Sequence, residues 1–211
     1  MKKIVFFTAA LLVVSCLPDS RETYTAEYEL TERLVVDMQL GTEDWFENNP
    51  KLKYQYQRDF LTQIALPSYE QEVKTGLPME VMMAQAILET GWGKSDLAKE
   101  HNNYFGIKEY RKNQKGVKYA TTEYVKGRKK RVKAKFRVYD TPQDCFNDRY
   151  EWFKSNYRYE DLDFKDLDYV DFSIELQERG YATDPNYSIH LIKIIKKYQL
   201  DKYSNWLKKS V

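Results

Sequence analysis

The segment Ala84-Gln85-Ala86-Ile87-Leu88-Glu89-Thr90-Gly91-Trp92-Gly93-Lys94-Ser95 sets one carboxylate, Glu89, at the end of a strongly apolar helical run. Two glycines, a tryptophan and a serine follow it at once. An apolar surround disfavours the charged form of a carboxyl group, and the negative end of a helix dipole pushes the same way. A carboxylic acid that stays protonated near neutral pH can hand its proton to a departing sugar oxygen, which is general-acid chemistry. The same residues also read as a surface Glu near a helix end, with Gly91 as the stop.

A second acid, Glu123, shares a strand face with Val117, Tyr119, Thr121 and Val125. A charge on a mostly apolar face needs a reason; the plainer account pairs it with one of the nearby lysines. Trp92, Tyr104, Phe105 and Tyr124 offer flat surfaces that suit sugar rings and suit ordinary packing equally. Trp92 is the strongest of the four as a sugar contact because it directly follows the Glu89 turn. Cys145 reads either as a thiol nucleophile or as a small buried residue on a helix. The only histidines are His101 and His190, and no HExxH or CxxC spacing occurs, so neither a metal nor another cofactor is expected.

The elements that must hold these groups follow from periodicity and punctuation. Helical spacing runs over 53–66, with Pro67 as the expected break and Ser68 as the cap of a short helix ending at Gly76. Pro78 suits the first turn of the next helix. That helix is apolar nearly all round through Leu88, so it should be the central buried one. Ser95 or Asp96 starts a short helix, and Asn102-Asn103-Tyr104-Phe105-Gly106-Ile107-Lys108 forms a tight loop entering a strand. Val117–Val125 and 132–139 read as two strands joined by a basic tip over 126–130. Thr141 caps a helix that runs through Phe153, another runs over 169–179 to a stop at Gly180, and Asp184-Pro185 starts the last, with Ile189, Ile192, Ile195 and Leu200. Asp184 is read as its cap rather than as a catalytic acid. The stretch 34–45 reads as a short helix or an ordered arm.

The front of the chain sets a compartment. Met1-Lys2-Lys3, an apolar run over 4–14 and then Ser15-Cys16 describe a signal peptide over 1–15. Val13-Val14-Ser15-Cys16 is similar to a bacterial lipobox, so Cys16 is expected to carry lipid. The expected organisation is a signal over 1–15, a lipidated Cys, tether and arm over 16–50, a catalytic domain over 51–205 and a tail over 206–211. With Cys16 lipidated, Cys145 has no disulfide partner. Of the 34 Lys and Arg, Lys2 and Lys3 leave with the signal, so the rest balance the 32 Asp and Glu. That neutrality and the export signal argue against a nucleic-acid partner.

Five motifs occur in order: Ala84 through Ser95, Asn102 through Lys108, Thr122-Glu123-Tyr124, Phe136-Arg137-Val138-Tyr139, and Gly180-Tyr181-Ala182-Thr183-Asp184-Pro185-Asn186-Tyr187. Together they closely resemble the bacterial endo-β-N-acetylglucosaminidases of glycoside hydrolase family 73, which include autolysins and flagellar peptidoglycan hydrolases. The resemblance covers about 66–200. It implies an α+β, lysozyme-like fold, mainly helical, with a β-hairpin lobe beside the active-site cleft. It implies cleavage of the β-1,4 bond between N-acetylglucosamine and N-acetylmuramic acid in peptidoglycan, with Glu89 as general acid, Glu123 as the second carboxylate and Tyr181 in support. The expected partners are glycan strands and, through the lipid, a membrane; the protein is expected as a monomer in the cell envelope, at the outer membrane or in the periplasm. Thr90, Tyr104 and Cys145 depart from the family's usual residues without removing a proposed catalytic group. The stereochemistry stays open between a water activated by Glu123 and participation of the substrate's own N-acetyl group. The rivals are a lytic transglycosylase and a non-catalytic glycan-binding lipoprotein.

Overall fold

The computed structural model describes residues 35–110, 115–125 and 128–210, the side chains of 122–130 excepted. In chain order the helices are α1 (35–47), α2 (Gln55–Thr75), α3 (Met79–Thr90) and α4 (Asp96–His101), then, after the strands β1 (Val117–Val125) and β2 (Arg128–Phe136), α5 (Pro142–Lys154), α6 (Tyr169–Glu178), α7 (Tyr187–Tyr198) and α8 (Leu200–Ser210). Every residue of α3 from Met79 to Ile87 is buried, as its all-round apolar character predicts. Helices α2, α6, α7 and α8 pack around it.

The expected break at Pro67 does not occur: α2 runs straight through it and ends at Gly76, where φ is 81°. A proline inside a helix forfeits a backbone bond and crowds the preceding turn. Here the buried positions Ile64, Ala65, Pro67, Ser68, Gln71 and Thr75 keep one continuous face against the core. The Ser68 hydroxyl donates to the Ile64 carbonyl at 2.7 Å. Burial of that face outweighs the local penalty.

Local signals elsewhere act as the sequence suggests. Ser95 accepts the Ala98 N–H at 3.2 Å and caps α4. Thr141 and Asp144 form a capping box ahead of α5. At the C-terminal end the expected single helix is two, interrupted at Gln199 with φ 58°, so that Leu200 begins α8. Asp184 is not the cap of α7, which is Asn186. Its carboxylate accepts the Asn186 N–H at 2.9 Å and pairs with His190 at 3.1 Å, bracing the turn before the helix.

The strands pair antiparallel from Val117↔Phe136 to Val125↔Arg128. Residues 128–130 therefore lie in β2 rather than in a hairpin tip, and 137–139 lie beyond the strand. Lys118, Ala120, Arg131 and Lys133 are exposed while Tyr119, Thr121, Val132 and Ala134 are half-buried, so one face of the ribbon turns toward protein. Its root is bound by side chains. Asn103 donates to the carbonyls of Ile107 and Arg137 at 3.0 and 2.9 Å and accepts the Ile107 N–H at 3.0 Å. Arg137 and the Tyr139 hydroxyl both donate to Asp148 on α5.

Asp37–Val211 forms one compact unit. Phe46 packs against Tyr203 with ring centres 4.5 Å apart and the planes tilted, and Thr42 hydrogen-bonds the Tyr203 hydroxyl at 2.8 Å. Leu207, close to the C-terminus, is fully buried. Among the described residues no helix is long and apolar enough to cross a membrane. The segment 1–15 and Cys16 lie outside the described residues.

Candidate active site

Glu89 occupies the last turn of α3, and the chain behind it turns sharply. Gly91, Trp92 and Gly93 all have positive φ, at 58°, 69° and 68°. A tryptophan in that region is uncommon and is held there by its surroundings. The Thr90 hydroxyl donates to the Ala86 carbonyl at 2.5 Å and accepts the Gly93 N–H at 2.7 Å. The Trp92 ring packs edge-on against Tyr198 at 4.6 Å. No side chain fits at residue 93, because a β-carbon there would stand 2.5 Å from the Phe60 ring. Trp92 also lines a groove of about 280 Å³ with Leu88, Gly91, Lys193, Ile194 and Lys197.

The Glu89 side chain is open to solvent on one side, and protein crowds the rest. Desolvation raises its carboxyl above the ordinary value of 4.5, and a hydrogen bond from Tyr187 opposes the rise. That bond runs from the Tyr187 hydroxyl to Glu89 Oε1 at 3.5 Å. It is long, as hydrogen bonds in unliganded sites often are.

Beneath it lies a buried polar chain. Gln85 Nε2 donates to the Tyr187 hydroxyl oxygen at 2.8 Å, and Arg149 Nη2 donates to Gln85 Oε1. Arg149 is 1% exposed. Its guanidinium lies over the rings of Phe105 and Phe153 at 4.8 and 4.6 Å. Tyr181 packs on Tyr187 with ring centres 5.6 Å apart. Burial pushes the Tyr181 hydroxyl up to about 12, with Arg149 opposing and Glu89 adding to the rise.

The structure thus brings Glu89 and Tyr181 together, with Tyr187 between them. It places Tyr104 and Phe105 elsewhere: they are 1% and 6% exposed. Tyr104 packs against Phe60 and Phe146, and Phe105 against Phe146 and Arg149. As sugar contacts both are out of reach while the core stays closed, so packing is the role their geometry supports. Residue 123 is paired with Lys130 across the two strands. The side chains of Glu123 and Tyr124 lie outside the described residues. Cys145 is fully buried, its sulfur accepts the Tyr104 N–H at 3.4 Å, and burial pushes its thiol up to about 12. That environment makes an inert thiol. Among the described residues no three His, Cys, Asp or Glu side chains cluster to hold a metal.

Three residues of this arrangement had no role assigned from sequence. Gln85 is the one polar residue in the buried run over 81–87, and a buried amide demands partners; that was a usable signal. Tyr187 sits inside a motif whose spacing gives it no role. Nothing local to Arg149 marks it as buried.

The sequence profile described as mannosyl-glycoprotein endo-beta-N-acetylglucosaminidase, the Glucosaminidase family, matches residues 66–200. The chain belongs to this glucosaminidase family. Among its relatives, the exo-glucosaminidase LytG of Bacillus subtilis (strain 168) is 39% identical over 58% of the chain and 45% of its own length. The peptidoglycan hydrolase FlgJ of Salmonella typhimurium is 36% identical over 66% of the chain and 45% of its own length. The chain therefore spans less than half of either relative. A crystal structure of a peptidoglycan hydrolase mutant from Sphingomonas sp. A1 aligns with a TM-score of 0.60 at 33% identity, over 68% of this chain and 96% of that one. The chain has the lysozyme-like, mainly helical fold of glycoside hydrolase family 73.

Proposed function

We propose that this glucosaminidase hydrolyses the β-1,4 bond between N-acetylglucosamine and N-acetylmuramic acid in bacterial peptidoglycan, with Glu89 as the general acid. One observation carries the reading: the Glu89 carboxyl sits at the end of a buried helix, desolvated by protein yet open to solvent on one side. Desolvation favours the protonated form that a general acid needs. The named activities of LytG and FlgJ support the substrate class.

In this mechanism Glu89 gives its proton to the glycosidic oxygen as the bond from that oxygen to the sugar's anomeric carbon breaks. Water then forms the new bond at that carbon. Glu123 is the second carboxylate and takes the proton from the water; Tyr181 supports the site from beside Tyr187. Trp92 and Tyr124 contact the sugar. A lipid on Cys16 holds the enzyme, as a monomer, at the envelope membrane, with the polar tether giving it reach to the wall.

The decisive experiment digests purified peptidoglycan with residues 21–211, reduces the products with borohydride and identifies the new ends by mass spectrometry. Reduced N-acetylglucosamine ends support the proposal. Reduced muramic ends mean a muramidase, anhydro-muramic ends a transglycosylase, and no new ends a glycan-binding protein; each of these overturns it.

A further inference from the structure

The hydrogen bonds below Glu89 have only one possible direction. A guanidinium has donors and no acceptor. Since Arg149 donates to Gln85 Oε1, the amide nitrogen of Gln85 must face Tyr187, and it donates to the phenol oxygen at 2.8 Å. With its oxygen accepting that bond, Tyr187 turns its own hydrogen to the next acceptor, Glu89 Oε1 at 3.5 Å. Reversing Gln85 would invert the last step. Tyr187 would then donate to the amide oxygen and present a lone pair to Glu89, inviting the acid's proton toward the tyrosine instead of the substrate.

Arg149 is otherwise costly where it stands. Among the described residues no carboxylate forms an ion pair with it; its Nε and Nη1 reach no acceptor at good geometry, and the Tyr181 phenol is its other polar partner. A buried cation without a counter-ion is strongly disfavoured. Its neighbours are the Phe105 and Phe153 rings, the Cys145 thiol and the phenols of Tyr181 and Tyr187.

We propose that Arg149 is a positioning residue: its bond to Gln85 fixes the relay so that Tyr187 donates to Oε1 of Glu89, leaving Oε2 to carry the proton delivered to the glycosidic oxygen. This rests on Glu89 being the general acid. The described ionisable groups facing Glu89 are Tyr187 from α7 and Tyr181 from the segment before it, with Arg149 from α5 behind them. Donation from Tyr187 opposes the upward push of desolvation on Glu89, so losing it moves Glu89 further up.

The test follows the Glu89 carboxyl by carbon-13 NMR titration of protein labelled at glutamate, the resonance being assigned by its absence in Glu89→Gln. Arg149→Met and Tyr187→Phe are each expected to raise the Glu89 midpoint by about one pH unit. The double variant is expected to move it no further than Arg149→Met alone, because both changes remove the same hydrogen bond. Gln85→Glu provides the same cycle in a chain that keeps Arg149 and gives it a counter-ion. Glutamate at 85 accepts from both Arg149 and Tyr187, and so turns the phenol away from Glu89. Additive shifts in both cycles would mean that charge acts through space and the relay carries nothing. An unmoved midpoint in Tyr187→Phe would overturn the proposal outright. If Glu89→Gln retains activity, the assignment of Glu89 fails instead, which the titrations distinguish.

Discussion

The Tyr187 hydroxyl lies 3.5 Å from Oε1 of Glu89, although 98 residues separate them in the chain. One stands at the start of α7 and the other at the end of α3. The packing of those two helices therefore sets the surroundings of the proposed acid.

Replacing that acid is the first prediction. Glu89→Gln is expected to lower peptidoglycan cleavage by roughly 100- to 10,000-fold, measured by release of reducing ends. Its melting temperature at pH 8 should be no lower than that of the parent. A carboxyl whose folded value is raised contributes stability below its unfolded value and loses it as pH rises through the folded one. At pH 8 Glu89 is therefore a burden on the fold that glutamine relieves. A large fall in melting temperature would instead make Glu89 a structural group.

The same raised carboxyl sets the pH dependence. A general acid must be protonated, so activity is expected at low pH and lost as pH rises through the folded value of Glu89. Desolvation moves that alkaline limb up from the ordinary value of 4.5. A profile of kcat/KM against pH locates it, and an alkaline limb that persists in Glu89→Gln would assign it to another group.

Glu123→Gln is expected to lose activity by roughly 100-fold or more, as a second carboxylate in glycoside hydrolysis should. Near-full activity would move the mechanism to participation by the substrate's acetamido group. The anomeric configuration of the first product, read by proton NMR, separates the two: inversion accompanies water activated by Glu123, retention the acetamido route.

Cys145→Ser is expected to cleave peptidoglycan as the parent does. Iodoacetamide at pH 8 should leave the native thiol unlabelled, because it is buried and its value is pushed up to about 12. Inactivation by labelling of the folded protein would return the thiol to the mechanism.

Gly93→Ala is expected to destabilise the protein by about 1–3 kcal/mol, since the added carbon meets the Phe60 ring at 2.5 Å with φ at 68°. Thermal unfolding measures it; an unchanged melting temperature would mean that the turn repacks freely.

How far the fold could be read from sequence depended on the range of the interaction. The Thr141 cap, the helix start at Ser95, the stop at Gly76 and the span of β1 rest on neighbours in sequence, and each stands where its signal placed it. Pro67 misled because its local penalty is outweighed by a face that only the folded core defines. Gln199 misled because a left-handed residue without glycine leaves little mark in the sequence. At the site, Glu89 was visible from its own helix. Its partners were not, since Gln85 meets Arg149 across 64 residues and Tyr187 across 102.

The clasp between Phe46 and Tyr203 bears on how the protein can be cut. The family match covers 66–200, yet Phe46, Leu52, Phe60, Leu61 and Ile64 before it, and Tyr203 and Leu207 after it, are each less than 5% exposed. A fragment trimmed to the matched segment would strip α3 of cover at both margins. The matched stretch is thus smaller than the stretch that shares one buried core, and truncations for expression should respect the second boundary.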